Sequence, residues 1–295
     1  MTFDSVFPPM PTPFTSAGEV DTRAVAHNID RWLHAGLGGI VALGSNGEAP
    51  LLDEAESDRV IEAARDAVPR GRLLIAGTGR ESTRATIDAT RRAGALGADA
   101  VLVRTPSFFK ARMTPDAFVQ HYTAVADASP VPVLLYNFFA VTGVNLSPDT
   151  VARLAAHPNI AGMKESGTDM AQIGAIIGAV PDRFAVIAGA APAFYPSLCI
   201  GARGAILALA CVAPEQCMQI FDATRAGRHA EAAALQARVM PLARLVTAIH
   251  GVPGLKAALD ASGYIGGEPR RPLAPVGAEA LTQIRAELAR VQEAV

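Results

Sequence analysis

Only three lysines occur in 295 residues, Lys110, Lys164 and Lys256; histidine apart, every other basic residue is arginine. Arginine serves solubility and ion pairing as lysine does, but it does not lose a proton near neutrality, so a surviving lysine is enriched for a chemical reason. Lys164 has the unusual setting. It follows Ile160-Ala161-Gly162-Met163, an apolar run of strand type, and precedes Glu165 and Ser166. Lysine is among the side chains least often buried unless paired. Desolvation favours the neutral amine, and a neutral amine attacks a ketone to form a Schiff base. The competing reading is a lysine ion-paired with a nearby acid at the rim of the fold. Lys256, in the helix-like Gly254–Asp260 segment, reads as a solvated or snorkelling side chain, and Lys110 as an exposed loop residue.

Other groups suited to such chemistry end similar runs. Tyr136 closes Val131-Pro132-Val133-Leu134-Leu135-Tyr136. Its phenol can relay protons beside an imine, or it is a half-buried tyrosine with a satisfied hydroxyl. Gly44-Ser45-Asn46-Gly47-Glu48 joins an Asn-Gly turn signal to exposed backbone amides. Such a loop can hold a carboxylate, or serve as an ordinary turn. Thr105, Ser166 and Gly189 complete the set, with Glu48 and Glu165 near it. This inventory offers neither a catalytic acid pair nor a histidine. It disfavours metal hydrolysis and favours carbonyl chemistry on an amine. Cys199, Cys211 and Cys217 lack CxxC spacing and the histidines are scattered, so no metal site is expected. Unmatched cysteines in apolar surroundings point to reduced thiols and a cytoplasmic setting. Gly77–Ser82 lacks the Walker pattern and reads as a strand end and helix start.

Short apolar runs must position these groups. They are Gly39–Gly44, Arg72–Thr78, Ala100–Thr105, Val131–Asn137, Ile160–Ser166, Phe184–Gly189 and Gly204–Leu209, after a first strand expected over Val6–Phe14. Runs apolar throughout suit parallel strands covered on both faces. Between them lie helix-like segments, two opened by Thr114-Pro115-Asp116 and Ser147-Pro148-Asp149, each a capping hydroxyl, a first-turn proline and an early acid. Eight strand–helix units predict an α/β fold, a (β/α)8 TIM barrel over residues 1–229, with a doubly wound open sheet as the alternative. Residues 230–295 show no further strand and read as a helical extension packed on the barrel, broken near Gly251–Gly254 and Gly263–Pro275. The chain is half hydrophobic and 18% charged, with net charge −2. No basic stripe suggests nucleic acid, and no electrostatic membrane anchor is expected. Met1-Thr2-Phe3-Asp4 lacks the pattern of a signal peptide, and the uncharged stretch Phe184–Ala202 is broken by Pro192 and Pro196.

Taken in order and spacing, residues 8–14 (PPMPTPF), 44–48 (GSNGE), 105–109 (TPSFF), 134–137 (LLYN), 162–166 (GMKES) and 204–209 (GAILAL) resemble the dihydrodipicolinate synthase / N-acetylneuraminate lyase family over essentially the whole chain. The resemblance implies a class I, Schiff-base-forming lyase or synthase, usually a homotetramer and otherwise a homodimer. It also implies pyruvate or a pyruvate-releasing 2-oxo acid as imine partner, an aldehyde as the second partner, and no cofactor. By the same resemblance Lys164 matches the imine lysine, Tyr136 the proton relay and Ser45 the hydroxyl that bonds it. Asn46 matches a carboxylate-holding position, and Gly189 and Ile206 line the site. The segments GSNGE, LLIAGTGRESTRAT, HPNIAGMKESG and GVPGLKAALDASGYIGG, with Ser166 two residues past the lysine, resemble most the 4-hydroxy-2-oxoglutarate aldolase branch, which yields pyruvate and glyoxylate. Two departures stand out. Val141 occupies the place of an arginine that grips a second carboxylate in the synthase branch, and Phe108 that of a tyrosine reaching a neighbouring subunit. Phe138, Phe139 and Val141 together suit an apolar aldehyde, as in a hydratase-aldolase, better than a sugar acid. Phe108 is the one feature suggesting a barrel that only senses a 2-oxo acid. Arg104 suits an anionic group if it faces inward, and strand alternation alone leaves its direction open.

Overall fold

In the computed structural model, which describes residues 2–292, every apolar run becomes a parallel strand. The strands are β1 (Val6–Phe7), β2 (Gly39–Ala42), β3 (Leu73–Gly77), β4 (Ala100–Arg104), β5 (Val133–Asn137), β6 (Ile160–Glu165), β7 (Ala185–Ala188) and β8 (Gly204–Ile206). They pair in the order β1-β8-β7-β6-β5-β4-β3-β2. The ring closes where Gly38 N–H donates to Val6 O (3.0 Å) and Val41 N–H to Pro8 O (3.1 Å). This is a (β/α)8 barrel. The first strand is shorter than its sequence suggests, because Pro8, Pro9, Pro11 and Pro13 have no N–H to give a ladder. Only an isolated bridge, Pro9 with Val41, continues it.

Each strand buries both faces, which is why the runs are apolar throughout. Alternate residues, including Phe7, Val41, Ile75, Leu102, Leu134, Ile187 and Ile206, fill the barrel interior. Their neighbours, such as Ile40, Leu74, Val101, Leu135 and Met163, meet the surrounding helices. The two proline-led helices begin as their sequences dictate: Thr114 Oγ1 accepts from Ala117 N–H (3.2 Å) and Ser147 Oγ from Thr150 N–H (3.3 Å). Asp53 and Glu56 form a reciprocal capping box on Glu54–Ala67.

Phe184–Ala202 divides into β7, a turn at Ala191–Ala193 and the helix Phe194–Cys199. His229–Ile249 is long and apolar enough by composition to cross a membrane. Val239, Leu242 and Leu245 on it are buried in the core cluster, and it packs on the helix Pro214–Arg225. Helices also occupy Gly251–Ala261 and Ala278–Gln292. Gly251–Gly254, expected to break the chain, is the first turn of a helix. The chain breaks where that turn begins, at His250 and Gly251 (φ +55°), between the wide last turn Leu245–Ile249 and the helix Gly251–Ala261, so the expected break falls at the start of that segment. Pro253 is tolerated there because the first-turn N–H groups have no intrahelical partner.

Lys256 departs most from its sequence reading. It is neither solvated nor snorkelling: its amine lies 2.6 Å from Glu48 Oε1, with side-chain exposures of 1% and 0%. It also donates to Glu268 O (2.9 Å) and sits 4.4 Å over the Phe14 ring. Helical spacing identified the face correctly as a face, but that face is turned into the protein, against the loop that follows β2.

Candidate active site

Strand register assembles the site. Tyr136 on β5 pairs with Lys164 on β6, Lys164 with Ile187 on β7, and Arg104 on β4 with Tyr136. Leu134 and Tyr136 are in the interior cluster, so the side chain period of two brings Phe138 to the same face. The Lys164 side chain is 4% exposed, and its amine lies 4.4 Å over the Tyr136 ring. Among the described residues the one lysine in an ion pair is Lys256, so the rim ion-pair reading of Lys164 does not hold. The acid beside it points away: Glu165 accepts from Asn137 Nδ2 (2.7 Å), Gly167 N–H (2.6 Å) and Gln172 Nε2 (3.3 Å). Burial pushes the Glu165 carboxyl up, against the pull of those bonds. An amine brought out of water without a counterion has the setting of a nucleophile rather than of a structural cation.

Tyr136 Oη and Ser45 Oγ are 3.3 Å apart, and the Tyr136 ring stacks on Phe138 at 5.8 Å with a 22° tilt. The phenol is thereby held on two sides. Ser166 follows the end of β6, two residues past Lys164, and its buried Oγ has no hydrogen-bond partner among the described residues. A buried hydroxyl left unpaired beside a buried amine marks a position that a bound molecule completes. Gly189 makes the room. A Cβ added there would stand 2.2 Å from Ser166 Oγ, 2.9 Å from Glu165 O and 3.0 Å from Lys164 Cε. Gly189→Ala is therefore expected to displace the lysine stem and lower turnover at least about tenfold by misplacing the reacting amine. Steady-state kinetics with thermal melting as a folding control checks this, and unchanged kinetics would refute it.

Ser45, Asn46 and Gly47 form a single 3-10 turn. Its bonds use the N–H groups of Gly47 and Glu48, which leaves those of Ser45 and Asn46 available to an anion. The chain reaches this turn through Leu43, whose φ of +57° is rare for a branched residue. Gly77 permits that path, since a Cβ on it would meet Leu43 O at 1.9 Å. Glu48, in the left-handed region at φ +57°, ends the turn and is fixed by Lys256 and by Arg270 N–H (2.7 Å).

Ile206 lines the barrel interior. Phe139 and Val141, expected to line the site, lie instead at the surface with exposures of 59% and 65%. The inward place belongs to Phe138, because residue 139 starts the helical turn Phe139–Thr142. Phe108 is 78% exposed, with its edge against Phe109. A cleft of about 60 Å³ opens beside Tyr136 and Ser45, bounded also by Leu102, Gly79, Arg80 and Arg104. Gly79 and Arg80 were not legible as site residues, because they lie past the end of β3, where alternation gives no face; Arg104, the last residue of β4, is the anion-binding candidate whose direction the sequence left open. Among the described residues no cluster of three or more His, Cys, Asp or Glu side chains is placed to hold a metal ion.

The chain matches the Dihydrodipicolinate synthetase family over residues 2–291. The 4-hydroxy-tetrahydrodipicolinate synthase of Exiguobacterium sp. is 33% identical over 292 residues, 99% of each chain. That of Haloarcula marismortui is 35% identical over 98% of this chain and 94% of its own. Among solved structures, the dihydrodipicolinate synthase of Acinetobacter baumannii, complexed with pyruvate, superposes with a TM-score of 0.94 at 32% identity over 98% and 99% of the two chains. YagE of E. coli K12, in complex with pyruvate, gives 0.93 at 29% identity over 99% of each. The first three of these carry the synthase name and YagE is described as belonging to the dihydrodipicolinic acid synthase family; none of the four is named a 4-hydroxy-2-oxoglutarate aldolase.

Proposed function

The chain belongs to the dihydrodipicolinate synthetase family, whose members are class I aldolase-type lyases and synthases, and on that premise we propose that Lys164 is its imine-forming lysine and pyruvate the imine partner. The observation that carries this is the buried, unpaired Lys164 amine over the ring of a tyrosine that is itself bonded to Ser45. In the cleavage direction, Lys164 Nζ adds to C2 of a 4-hydroxy-2-oxo acid and water leaves, giving a protonated imine. The N–H groups of Ser45 and Asn46 hold the C1 carboxylate, and Ser166 Oγ is free to bond the substrate. Tyr136, oriented by Ser45, takes the C4 hydroxyl proton as the C3–C4 bond breaks into the imine, and the aldehyde departs. The resulting enamine is protonated at C3 and hydrolysed to pyruvate and free lysine. Run backwards, the same steps join pyruvate to an aldehyde.

Two readings of the aldehyde are supported. The motif resemblance supports glyoxylate, released from 4-hydroxy-2-oxoglutarate. The names of the relatives support the acidic aldehyde of the synthase branch. Both place a carboxylate on the aldehyde half. The apolar-aldehyde reading loses two of its three residues, since only Phe138 faces the site. Borohydride reduction in the presence of pyruvate, followed by peptide mapping, tests the reading. A reduced pyruvyl adduct is expected on Lys164, and folded protein that yields no adduct there would overturn it.

The same proposal puts the enzyme in the cytoplasm, a reading supported by the free thiols of Cys199, Cys211 and Cys217, and assembles it as a homodimer or homotetramer. Phe108, Phe109, Phe139 and Val141, all more than half exposed on the loops after β4 and β5, support assembly, since a second chain would cover them. Sedimentation at single-chain mass would refute it.

A further inference from the structure

We propose that Arg104 is a specificity-determining residue that binds a carboxylate on the aldehyde half of the substrate, in the cleft beside Tyr136. The inference rests on the imine reading above. Its direction is now anchored. Ala100 and Leu102 lie in the barrel interior, so the alternation of β4 turns Arg104 to the same side. There it is the register partner of Tyr136 and borders the cleft with Ser45. Val141, in the place of the synthase branch's arginine, lies out at the surface and has no charge to offer. The cation absent after β5 is thus supplied one strand earlier.

The guanidinium is both fixed and open. Its two hydrogen bonds leave from Nη1, to Glu81 Oε1 (2.7 Å) and to Thr105 O (3.3 Å), so Nε and Nη2 have no partner among the described residues. A guanidinium with free donors on one edge matches a carboxylate in two-point geometry. Glu81 is itself held: its other oxygen accepts from the N–H groups of Ser107 (2.9 Å) and Phe108 (2.8 Å). Burial pushes this carboxyl up, but those N–H groups and Arg104 outweigh it and keep it below the usual carboxylate range. Arg104 is therefore pre-oriented, and little ordering is left for the ligand to impose. Arg80, in the same cleft, is less available, because both Glu54 oxygens take its Nε (2.9 Å) and Nη2 (3.0 Å).

The competing role is mechanical: Arg104 would merely brace Glu81 and the loop at 107–108. Charge discrimination separates the two. In condensation with pyruvate, kcat/KM is measured for glyoxylate, for the acidic aldehyde of the synthase branch, and for uncharged glycolaldehyde. Arg104→Gln is expected to lower the better acidic substrate at least tenfold relative to glycolaldehyde, and which acid falls identifies the acceptor. Arg104→Lys keeps the charge without the two-point geometry and should lose part of the same ratio; it also serves if the glutamine variant does not fold. Equal losses on charged and uncharged aldehydes, or no loss, would overturn the proposal. So would a wild-type enzyme that forms the Lys164 adduct yet prefers the uncharged aldehyde. Failure of wild-type protein to form that adduct would instead remove the imine reading beneath it.

Discussion

Lys164→Ala is expected to abolish turnover, lowering kcat at least about 10⁴-fold, while leaving the protein as stable as before or more so. The two halves of this expectation have one cause. Lys164 is 4% exposed, and its amine has an aromatic face for company rather than a carboxylate. Keeping a polar group there costs the fold free energy that a methyl group would not. A site whose removal leaves melting temperature level or raised is one retained for chemistry against stability. The pyruvyl adduct must vanish with the amine, and Lys164→Arg must fail equally, since a guanidinium keeps charge but is no nucleophile. Kinetics, melting and adduct mass are the three readouts. Full turnover in the alanine variant would end the account, and a melting temperature several degrees lower would show that the lysine is structural after all.

How far the sequence reveals this site depends on which physical rule governs each residue. Lys164 was legible because an apolar run ending in lysine contradicts the ordinary cost of burial, and few explanations survive such a contradiction. Tyr136 and Ser45 became visible at strand ends once the eight runs suggested a barrel, whose chemistry gathers at one rim. The first strand was overextended because hydropathy does not register missing N–H groups, and Pro8 to Pro13 are apolar yet cannot pair. The sequence offers no face by which to separate Phe138 from Phe139, and one residue of alternation divides the half-buried ring from the exposed one. Arg104 posed the same problem and was decided by Leu102. Glu48 and Lys256 were beyond reach of any local rule. They stand 208 positions apart and meet only when the C-terminal helices close over the loop after β2.

That long-range pair yields the largest expected effect on stability. Lys256→Met should destabilise the protein by about 3–5 kcal/mol, because it strips the counterion from a carboxylate with no exposure to water. For a chain of this size the melting temperature should fall by about 5–8 °C. Burial lowers the Lys256 amine below the ordinary lysine range, and contact with Glu48 opposes that shift. The pair thus stabilises the fold through mutual neutralisation, and each half alone is a liability. A second consequence is local. Glu48 closes the turn whose Ser45 and Asn46 N–H groups are proposed to hold the substrate carboxylate, so loosening it should raise KM for pyruvate more than it lowers kcat. The double variant Lys256→Met with Glu48→Gln removes both charges and should recover part of the lost stability, because the orphaned charge rather than the missing contact dominates the cost. It should not recover KM, since the amide that replaces the Glu48 carboxylate would still lack the lysine that anchors the turn to Gly251–Ala261. A single variant that melts with the wild type would show the pair to be dispensable. A double variant less stable than the single one would place the cost in packing, not in charge.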